Sequence, residues 1–221
     1  MDGSKGTLWG TLQSGDVMKT TEAIPAEMSV EQFLNWEQED LHAELVGNQV
    51  RLKMPVSKQH QDCNSFLLTI VKHWVERYKP GGVVYHPPFA VRLTLPDGEQ
   101  EVREPDLLVI LPEHLDRLQR TYYDGAPDLV VEIVSRESRS VDRGEKFYAY
   151  EAAGVPEYWI IDPERRQAEF AQLGEGGTYQ IVFAGSAGVY TSRVLDGFWL
   201  RVEWLWSLPA VWDVLKEWGW V

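Results

Sequence analysis

The stretch Leu129-Val130-Val131-Glu132-Ile133-Val134 decides the fold, because it is an apolar run broken by a single carboxylate. Continuous apolarity of this length is typical of a strand covered on both faces, as in the centre of an α/β sheet. Strand alternation places Glu132 on the same face as Val130 and Val134. An unpaired buried carboxylate must be protonated, paired or placed against a cation. We therefore expect a positive group near Glu132.

A second apolar run, 107–111, begins directly after Pro105-Asp106. If the two runs form neighbouring strands, Asp106 and Glu132 converge at one end of the sheet. Two carboxylates at that distance repel each other unless a divalent ion lies between them. Hard oxygen ligands with room for water are what Mg²⁺ prefers. The spacing therefore indicates a metal site at this end of the sheet.

The nearest cation in sequence is Lys146, on a helix predicted over 142–153. On that helix it shares one face with Asp142, Ala149 and Ala153, and the two alanines allow close approach to the sheet. In one reading the lysine reaches the carboxylates. In the other it forms a local pair with Asp142 on a solvated face, which contributes only a few tenths of a kcal/mol.

The remaining pattern alternates short strands with helices. A capping box at Ser29 to Gln32 predicts a helix that runs to about Asp40. Two short runs joined by Gly47-Asn48 predict a hairpin with Glu44 on its first strand. The other predicted elements are a long helix over 57–78, strands over 83–95 (with a break at 87–88), 107–111, 129–134 and 158–161, and a hairpin of 167–173 with 179–184, before a tryptophan-rich C-terminal segment.

Composition limits the function classes. The chain has 221 residues, of which 44% are hydrophobic and 25% charged, as expected for one soluble domain. No apolar run is long enough for a transmembrane helix. A net charge of -13 repels polyanions, so any nucleic-acid site must be local. The single cysteine, Cys63, excludes an internal disulfide and a zinc knuckle. Residues 1–25 are expected to be a weakly structured, untargeted leader, with the cytoplasm as the default location.

A set of motifs then occurs in a fixed order: Glu104-Pro105-Asp106, Val131 to Ser135, Asp142 to Lys146 with Tyr150, Gly154 to Trp159, and Asp162-Pro163. In this order the chain resembles the Uma-two family of restriction endonucleases, a group within the PD-(D/E)XK nuclease superfamily. The resemblance covers roughly 28–205. It implies an α/β, restriction-endonuclease-like fold in a single domain over 26–221. That fold has a central mixed sheet flanked by helices, an N-terminal helix and hairpin, and a C-terminal hairpin extension.

The resemblance also implies site residues. The catalytic set is Glu44, Asp106, Glu132 and Lys146, and the metal-binding set is Asp106, Glu132, Ile133 and Glu44. Lys146 would be a lysine supplied from the helix, because the usual lysine position, two after Glu132, is Val134. Arg136 replaces a usual proline, and His60 matches a family histidine without a role assigned to it. The implied activity is Mg²⁺-dependent hydrolysis of phosphodiesters in nucleic acid, with DNA as the substrate, Mn²⁺ as a substitute ion and a homodimer as the assembly.

Several alternatives stay open. A catalytically silent binding or assembly module with the nuclease fold explains the acidity and the displaced lysine, and RNA or a short end could replace duplex DNA as the substrate. The basic residues Arg51, Lys53 and Lys58 form either a patch facing DNA or a solvated hairpin edge. Cys63 is interpreted as a plain buried cysteine. The C-terminal tryptophans favour a core or dimer-contact helix over base stacking.

Overall fold

The computed structural model describes residues 24–36, 42–135 and 138–221. Its helices are α1 (Val30–Leu34), α2 (Lys58–Tyr78), α3 (Arg139–Asp142), α4 (Glu145–Ala153), α5 (Trp204–Ser207) and α6 (Val211–Glu217), with a 3-10 helix at Pro112–Arg117. Its strands are β1 (Ala43–Val46), β2 (Gln49–Leu52), β3 (Val83–Tyr85), β4 (Ala90–Thr94), β5 (Gln100–Arg103), β6 (Leu107–Ile110), β7 (Tyr122–Asp124), β8 (Leu129–Ile133), β9 (Glu157–Asp162), β10 (Gln167–Leu173), β11 (Tyr179–Gly185), β12 (Val189–Thr191) and β13 (Trp199–Arg201).

Two mixed sheets organise these elements. The larger sheet has the order β11-β10-β9-β8-β6-β3, in which β8 and β9 are parallel and β6 and β8 antiparallel. The smaller sheet has the order β2-β1-β5-β4-β7, and β12 pairs with β13. The predicted α/β fold is confirmed, although the structure has two mixed sheets where the prediction has one central mixed sheet.

The strand β8 lies at the centre of the larger sheet and separates two apolar cores. Leu129, Val131 and Ile133 pack on one face, in the core that contains α2 and the C-terminal segment. Val130 packs on the opposite face, in the core that contains residues of β4, β6 and α4. Strand alternation therefore turns Glu132 toward this second core, as the apolar run predicts.

The hairpin β1–β2 follows its sequence pattern closely. Its turn residues, Gly47 and Asn48, have φ angles of 54° and 60°. Positive φ at both central positions is the conformation that a tight two-residue hairpin requires, and glycine and asparagine adopt it most readily. Glu44 consequently lies on β1, opposite Arg51 on β2.

The predicted helix over 142–153 is wrong in its extent, because the structure has two helices, α3 and α4, divided at Arg143 and Gly144. Gly144 has φ -118° and ψ -92°, which no helix tolerates. A Cβ atom at this position would lie 2.8 Å from the carbonyl oxygen of Ser140. The division therefore requires a residue without a side chain at position 144.

Other predictions differ at their ends. The first helix ends at Leu34, with Asn35 as its cap, instead of continuing to about Asp40. Residues 37–41 and most of the predicted leader lie outside the described residues. The strands β5, β7, β12 and β13 are additional to the pattern. Within the described part of the chain, no helix is both long and apolar enough to cross a membrane.

The C-terminal tryptophans contribute to the core beside α2. Trp74 of α2 contacts Trp218 and Trp220, with ring centroids 5.0 Å and 5.4 Å away. Trp204 is buried, whereas Trp212 is 56% exposed. Most of these rings are thus held in protein contacts, as the core interpretation predicts.

Candidate active site

The register between β6 and β8 brings the first two candidate residues together. Leu107 pairs with Val131 across antiparallel strands. Continuing that register by one residue sets Asp106 opposite Glu132, on the same face of the sheet. Both side chains are buried, at 5% and 2% exposure. The backbone N–H of Ile133 donates to Oδ2 of Asp106 at 2.7 Å and fixes this carboxylate at the end of β8.

Lys146 reaches the same place from α4. Its Nζ lies 3.0 Å from Oε1 of Glu132, 3.1 Å from Oε1 of Glu44 and 3.4 Å from Oδ1 of Asp142. The lysine is only 5% exposed, so the alternative of a solvated pair with Asp142 is wrong. The four residues Glu44, Asp106, Glu132 and Lys146, which are separated in sequence, are thus brought to one buried location.

Glu44 is held by a second cation, Arg103 of β5. The guanidinium of Arg103 donates to Oε2 of Glu44 at 3.3 Å and also contacts Glu101 and Glu145. Arg103 is fully buried, so these carboxylates supply its charge compensation. Oε1 of Glu44 accepts from the backbone N–H of Glu104 at 3.3 Å. This network fixes β1 against β5 at the edge of the site.

Two further groups surround Asp106. His60, near the start of α2, has its Nε2 atom 3.1 Å from Oδ2 of Asp106. Lys53, just after β2, has its Nζ atom 3.8 Å from Oδ1 and donates to the carbonyl of Glu104 at 2.6 Å. The other carboxylate of the pair has its own partner, because the hydroxyl of Tyr150 donates to Oε1 of Glu132 at 2.9 Å.

Seven of these polar residues line one cavity of about 710 Å³. Its polar wall contains Glu44, Lys53, His60, Asp106, Glu132, Asp142 and Lys146. The cavity is also lined by the segment 51–57, by Ser135 and Ser138, and by Pro163 and Glu164. A cavity of this size is in the range of small-molecule and substrate sites in proteins.

The electrostatics of the cluster are dominated by carboxylates. Burial raises the pKa of Glu132 to about 8, with repulsion from Asp106 and Asp142 adding to burial and attraction by Lys146 opposing it. Burial also opposes ionisation of Glu44, yet the ammonium groups of Lys146 and Lys53 lower its pKa to about 2. Burial alone would lower the pKa of Lys146, but attraction by Glu132 and Glu44 raises it. Lys146 is therefore charged at neutral pH.

The donor chemistry of this cluster fits Mg²⁺. Within the described residues, Oδ1 of Asp106 and Oε2 of Glu132 accept no hydrogen bond, whereas the second oxygen of each carboxylate does. No group of three or more His, Cys, Asp or Glu side chains in the described ranges is arranged to hold a metal by itself. Mg²⁺ is usually bound by one or two carboxylates, with water and substrate oxygens completing its shell. The pair of Asp106 and Glu132 meets that requirement.

The two other proposed ligands are arranged differently. Both oxygens of Glu44 are within contact distance of protein cations, Oε1 beside Lys146 and Oε2 beside Arg103. The side chain of Ile133 packs in the core beside α2. Only its main-chain carbonyl can therefore serve as a ligand.

Sequence reasoning missed the contributions of Arg103 and Lys53 to this site. Arg103 lies in a short charged strand without an apolar pattern. Lys53 belongs to the basic stretch that the sequence predicts to be either a patch facing DNA or a solvated edge, and in the structure it lines the cavity. Lys58 is solvated and pairs with Asp62. Cys63 is fully buried, and its pKa is raised to about 12 by burial and by Asp106.

Comparison with known proteins gives three findings. The family model Uma2, described as "Putative restriction endonuclease", matches residues 30–203. A crystal structure of a "putative nuclease belonging to DUF820" from Anabaena variabilis has a similar fold, with a TM-score of 0.67 and 15% sequence identity over 81% of this chain and 98% of that chain. No curated protein matches the sequence. Since the family model spans most of the chain, from α1 to the start of α5, this protein belongs to the Uma2 family.

Proposed function

We propose that this protein is a metal-dependent endonuclease that hydrolyses phosphodiester bonds in nucleic acid, with Mg²⁺ as the cofactor, Mn²⁺ as a substitute and DNA as the substrate. The observation that carries the proposal is the buried pair of Asp106 and Glu132 in one cavity with Lys146. Membership of the Uma2 family and the nuclease-like fold support the same reaction class.

In this proposal Asp106 and Glu132 would hold the ion, assisted by the main chain of Ile133. A bound divalent ion would supply a Lewis acid for the scissile phosphate and lower the pKa of water. The protein residues do the positioning. The N–H of Ile133 and the ring of His60 orient Asp106, and Tyr150 orients Glu132.

Lys146 and Glu44 have a distinct part in the proposal. Three carboxylates lie within 3.4 Å of the Lys146 ammonium. The charge of this buried ammonium is therefore compensated inside the cluster. We assign Lys146 to balancing the charge of the cluster and orienting Glu132, with Glu44 holding the lysine in place. Removal of Lys146 would leave several buried carboxylates without compensation.

The acidity of the chain directs the choice of assay. Phosphate contacts by Lys and Arg dominate the affinity of most DNA-binding proteins, and their strength falls with salt. With a net charge of -13, binding is expected to be weak at physiological salt. Cleavage assays should therefore begin at low salt, with supercoiled plasmid, linear duplex, single-stranded DNA and RNA tested in parallel.

The decisive experiment compares the wild-type protein with Asp106→Asn and Glu132→Gln in Mg²⁺, in Mn²⁺ and in chelator. We expect cleavage of plasmid DNA only with metal and only by the wild type. Asp213→Asn is the matched control, because Asp213 is exposed on α6 and does not line the cavity. Equal cleavage by the wild type and both site variants would refute the assignment.

Metal binding separates this proposal from a silent module. A ligand that binds only the native state raises stability by about 2.7 kcal/mol at one hundred times its Kd. We expect Mn²⁺ to raise the Tm of the wild type and to leave that of Asp106→Asn unchanged. Absence of a shift in the wild type would favour a binding or assembly module that keeps the fold without the chemistry. The homodimer stays a prediction, which the elution volume and light scattering of the purified protein would test.

A further inference from the structure

Lys53, which follows the hairpin β1–β2, is not among the site residues that the family resemblance implies. It is nevertheless a second lysine that lines the cavity. It enters from the end of β2, whereas Lys146 enters from α4. Its Nζ lies 3.8 Å from Oδ1 of Asp106, the oxygen that accepts no hydrogen bond within the described residues. It is 22% exposed, against 6% for the side chain of Lys146. The ammonium is therefore held by the protein but remains open to the cavity.

The hydrogen bonds of the two lysines differ in the same sense. The ammonium of Lys53 donates to one carbonyl, that of Glu104, at 2.6 Å. Because an ammonium has three donors, two remain for a group that enters the cavity, as far as the described residues show. Lys146, by contrast, has three carboxylates within 3.4 Å of its ammonium, which compensate its charge. A phosphate that approaches Asp106 thus meets Lys53, which has donors to spare, and Lys146, whose charge is already balanced inside the cluster.

The other basic side chains of the cavity wall are also engaged. Arg51 donates through Nη1 to both oxygens of Glu145, at 2.7 Å each. His60 is committed to Asp106 through Nε2. Arg51 keeps its Nε and Nη2 donors within the described residues, but it pairs with Glu145 and not with Asp106. In the described part of the wall, Lys53 is therefore the cation that combines spare donors with a position beside Asp106.

Resting on the function proposed above, we infer that Lys53 is the catalytic lysine that contacts the scissile phosphate, and that Lys146 is a positioning residue. In the hydrolysis, a water oxygen forms a bond to phosphorus while the bond from phosphorus to the leaving oxygen breaks. One water proton passes to solvent and the leaving oxygen is protonated, which gives a phosphomonoester and a hydroxyl. Lys53 stays protonated throughout and stabilises the negative charge that develops on the non-bridging oxygens.

The charge state of Lys53 agrees with this role. Burial opposes its ionisation, but attraction by Asp106 and Glu132 raises its pKa above the ordinary value. The lysine is therefore a cation at neutral pH. It is suited to stabilising charge and unsuited to acting as a general base near neutrality.

The test measures three properties of Lys53→Met and Lys53→Arg, with Lys58→Met as the control. Lys58 lies five positions further along, is solvated and does not line the cavity. Loss of one donor that stabilises transition-state charge costs about 100-fold or more in kcat. We expect that loss in Lys53→Met, recovery to within about tenfold of wild type in Lys53→Arg, and wild-type turnover in Lys58→Met.

The second measurement is Mn²⁺ binding by titration calorimetry, which reports on the fold and the carboxylates independently of turnover. Removing a positive charge beside Asp106 should leave Mn²⁺ affinity unchanged or increase it. The third is equilibrium binding of a fluorescent single-stranded oligonucleotide with Ca²⁺ in place of Mg²⁺, which Lys53→Met should weaken. A variant that loses Mn²⁺ affinity together with turnover would show a structural role and overturn the inference.

The outcomes separate the two proposals. If the wild type cleaves no substrate, the proposed nuclease function fails, and the oligonucleotide measurement alone decides the inference: equal binding by the wild type and Lys53→Met overturns it. If the wild type cleaves and Lys53→Met retains turnover within about threefold, the inference fails and the nuclease function stands.

Discussion

Two buried glutamates on neighbouring strands should respond in opposite directions to the same substitution. Glu132 on β8 and Glu157 on β9 are 2% and 0% exposed. Glu132 lies among other carboxylates, and burial raises its pKa to about 8. Glu157 accepts five hydrogen bonds, from the indole N–H of Trp159, the hydroxyls of Tyr190 and Ser192, and the backbone N–H groups of Arg193 and Val194.

The magnitude for Glu132 follows from linkage. At pH 7 its carboxyl is protonated in the native state and ionised in the unfolded state, where its pKa is the ordinary 4.5. Each pKa unit corresponds to about 1.4 kcal/mol, so folding costs about 3 kcal/mol in proton uptake at pH 7 and about 5 kcal/mol above pH 8. Glutamine takes up no proton, so Glu132→Gln should raise the free energy of unfolding of the metal-free protein by about 3 kcal/mol at pH 7.

The stability difference between Glu132→Gln and the wild type should increase with pH. Between about pH 4.5 and pH 8 the native protein holds one more proton at Glu132 than the unfolded chain does. The contribution of this group to stability is therefore lost as the pH rises through that window, and the advantage of the variant grows. Urea unfolding of both proteins in chelator, at pH 5, pH 7 and pH 8.5, measures the difference.

Glu157→Gln is the matched control with the opposite expectation. Hydrogen bonds to a charged group contribute about 1.5–3 kcal/mol each, and an amide cannot accept from all five donors. We expect a loss of roughly 3 kcal/mol or more at pH 7 by the same measurement. The reasoning is refuted if Glu132→Gln destabilises the protein by as much as Glu157→Gln does.

Three further predictions concern groups around the site. Arg103→Met should lower the free energy of unfolding by about 3–5 kcal/mol, since Glu44, Glu101 and Glu145 all lose the guanidinium that they share. A variant as stable as the wild type in urea unfolding would contradict the network. His60→Ala should reduce the Mn²⁺ affinity measured by calorimetry by about 10- to 100-fold, because Asp106 loses one of the groups that orient it. An unchanged affinity would show that His60 has no role in metal binding. Cys63 should resist iodoacetamide at pH 8.5 in the native protein and react in urea, because burial raises its pKa to about 12. Rapid alkylation of the native protein would show that the thiolate is accessible.

The core strands could be predicted from sequence because their short, continuous apolar runs indicate buried strands and no other element. Leu129 to Val134 has no amphipathic alternative, so the single carboxylate within it identifies a buried acid. Strand β5 could not be predicted in this way. Its sequence, Gln-Glu-Val-Arg, is polar, yet its last three residues are buried. This burial depends on residues that are distant in sequence, because the charge of Arg103 is compensated by Glu44 and Glu145, which lie 59 and 42 positions away.

The same distinction applies to the site. Asp106 and Glu132 are found from their positions beside apolar runs, and Lys146 from its stripe of small residues. Lys53 has no such signal, because its sequence neighbours are polar or exposed and its partner Asp106 lies on another element. Only the pairing of β1 with both β2 and β5 turns the hairpin toward the end of β6. Contacts of this kind depend on sheet order, which local pattern does not specify.

Because α3 and α4 are separate helices, one can be anchored to the sheet while the other positions Lys146. Arg139 and Arg143 tie α3 to Asp162 at the end of β9, at 2.9 Å and 3.7 Å. Helix α4 delivers Lys146 to the carboxylates. Gly144 is the joint between them, and the direction of α4 depends on its backbone angles. An alanine at position 144 would change the position of Lys146 without altering any atom that touches substrate. A mutation can therefore abolish activity at a residue that has no side chain of its own.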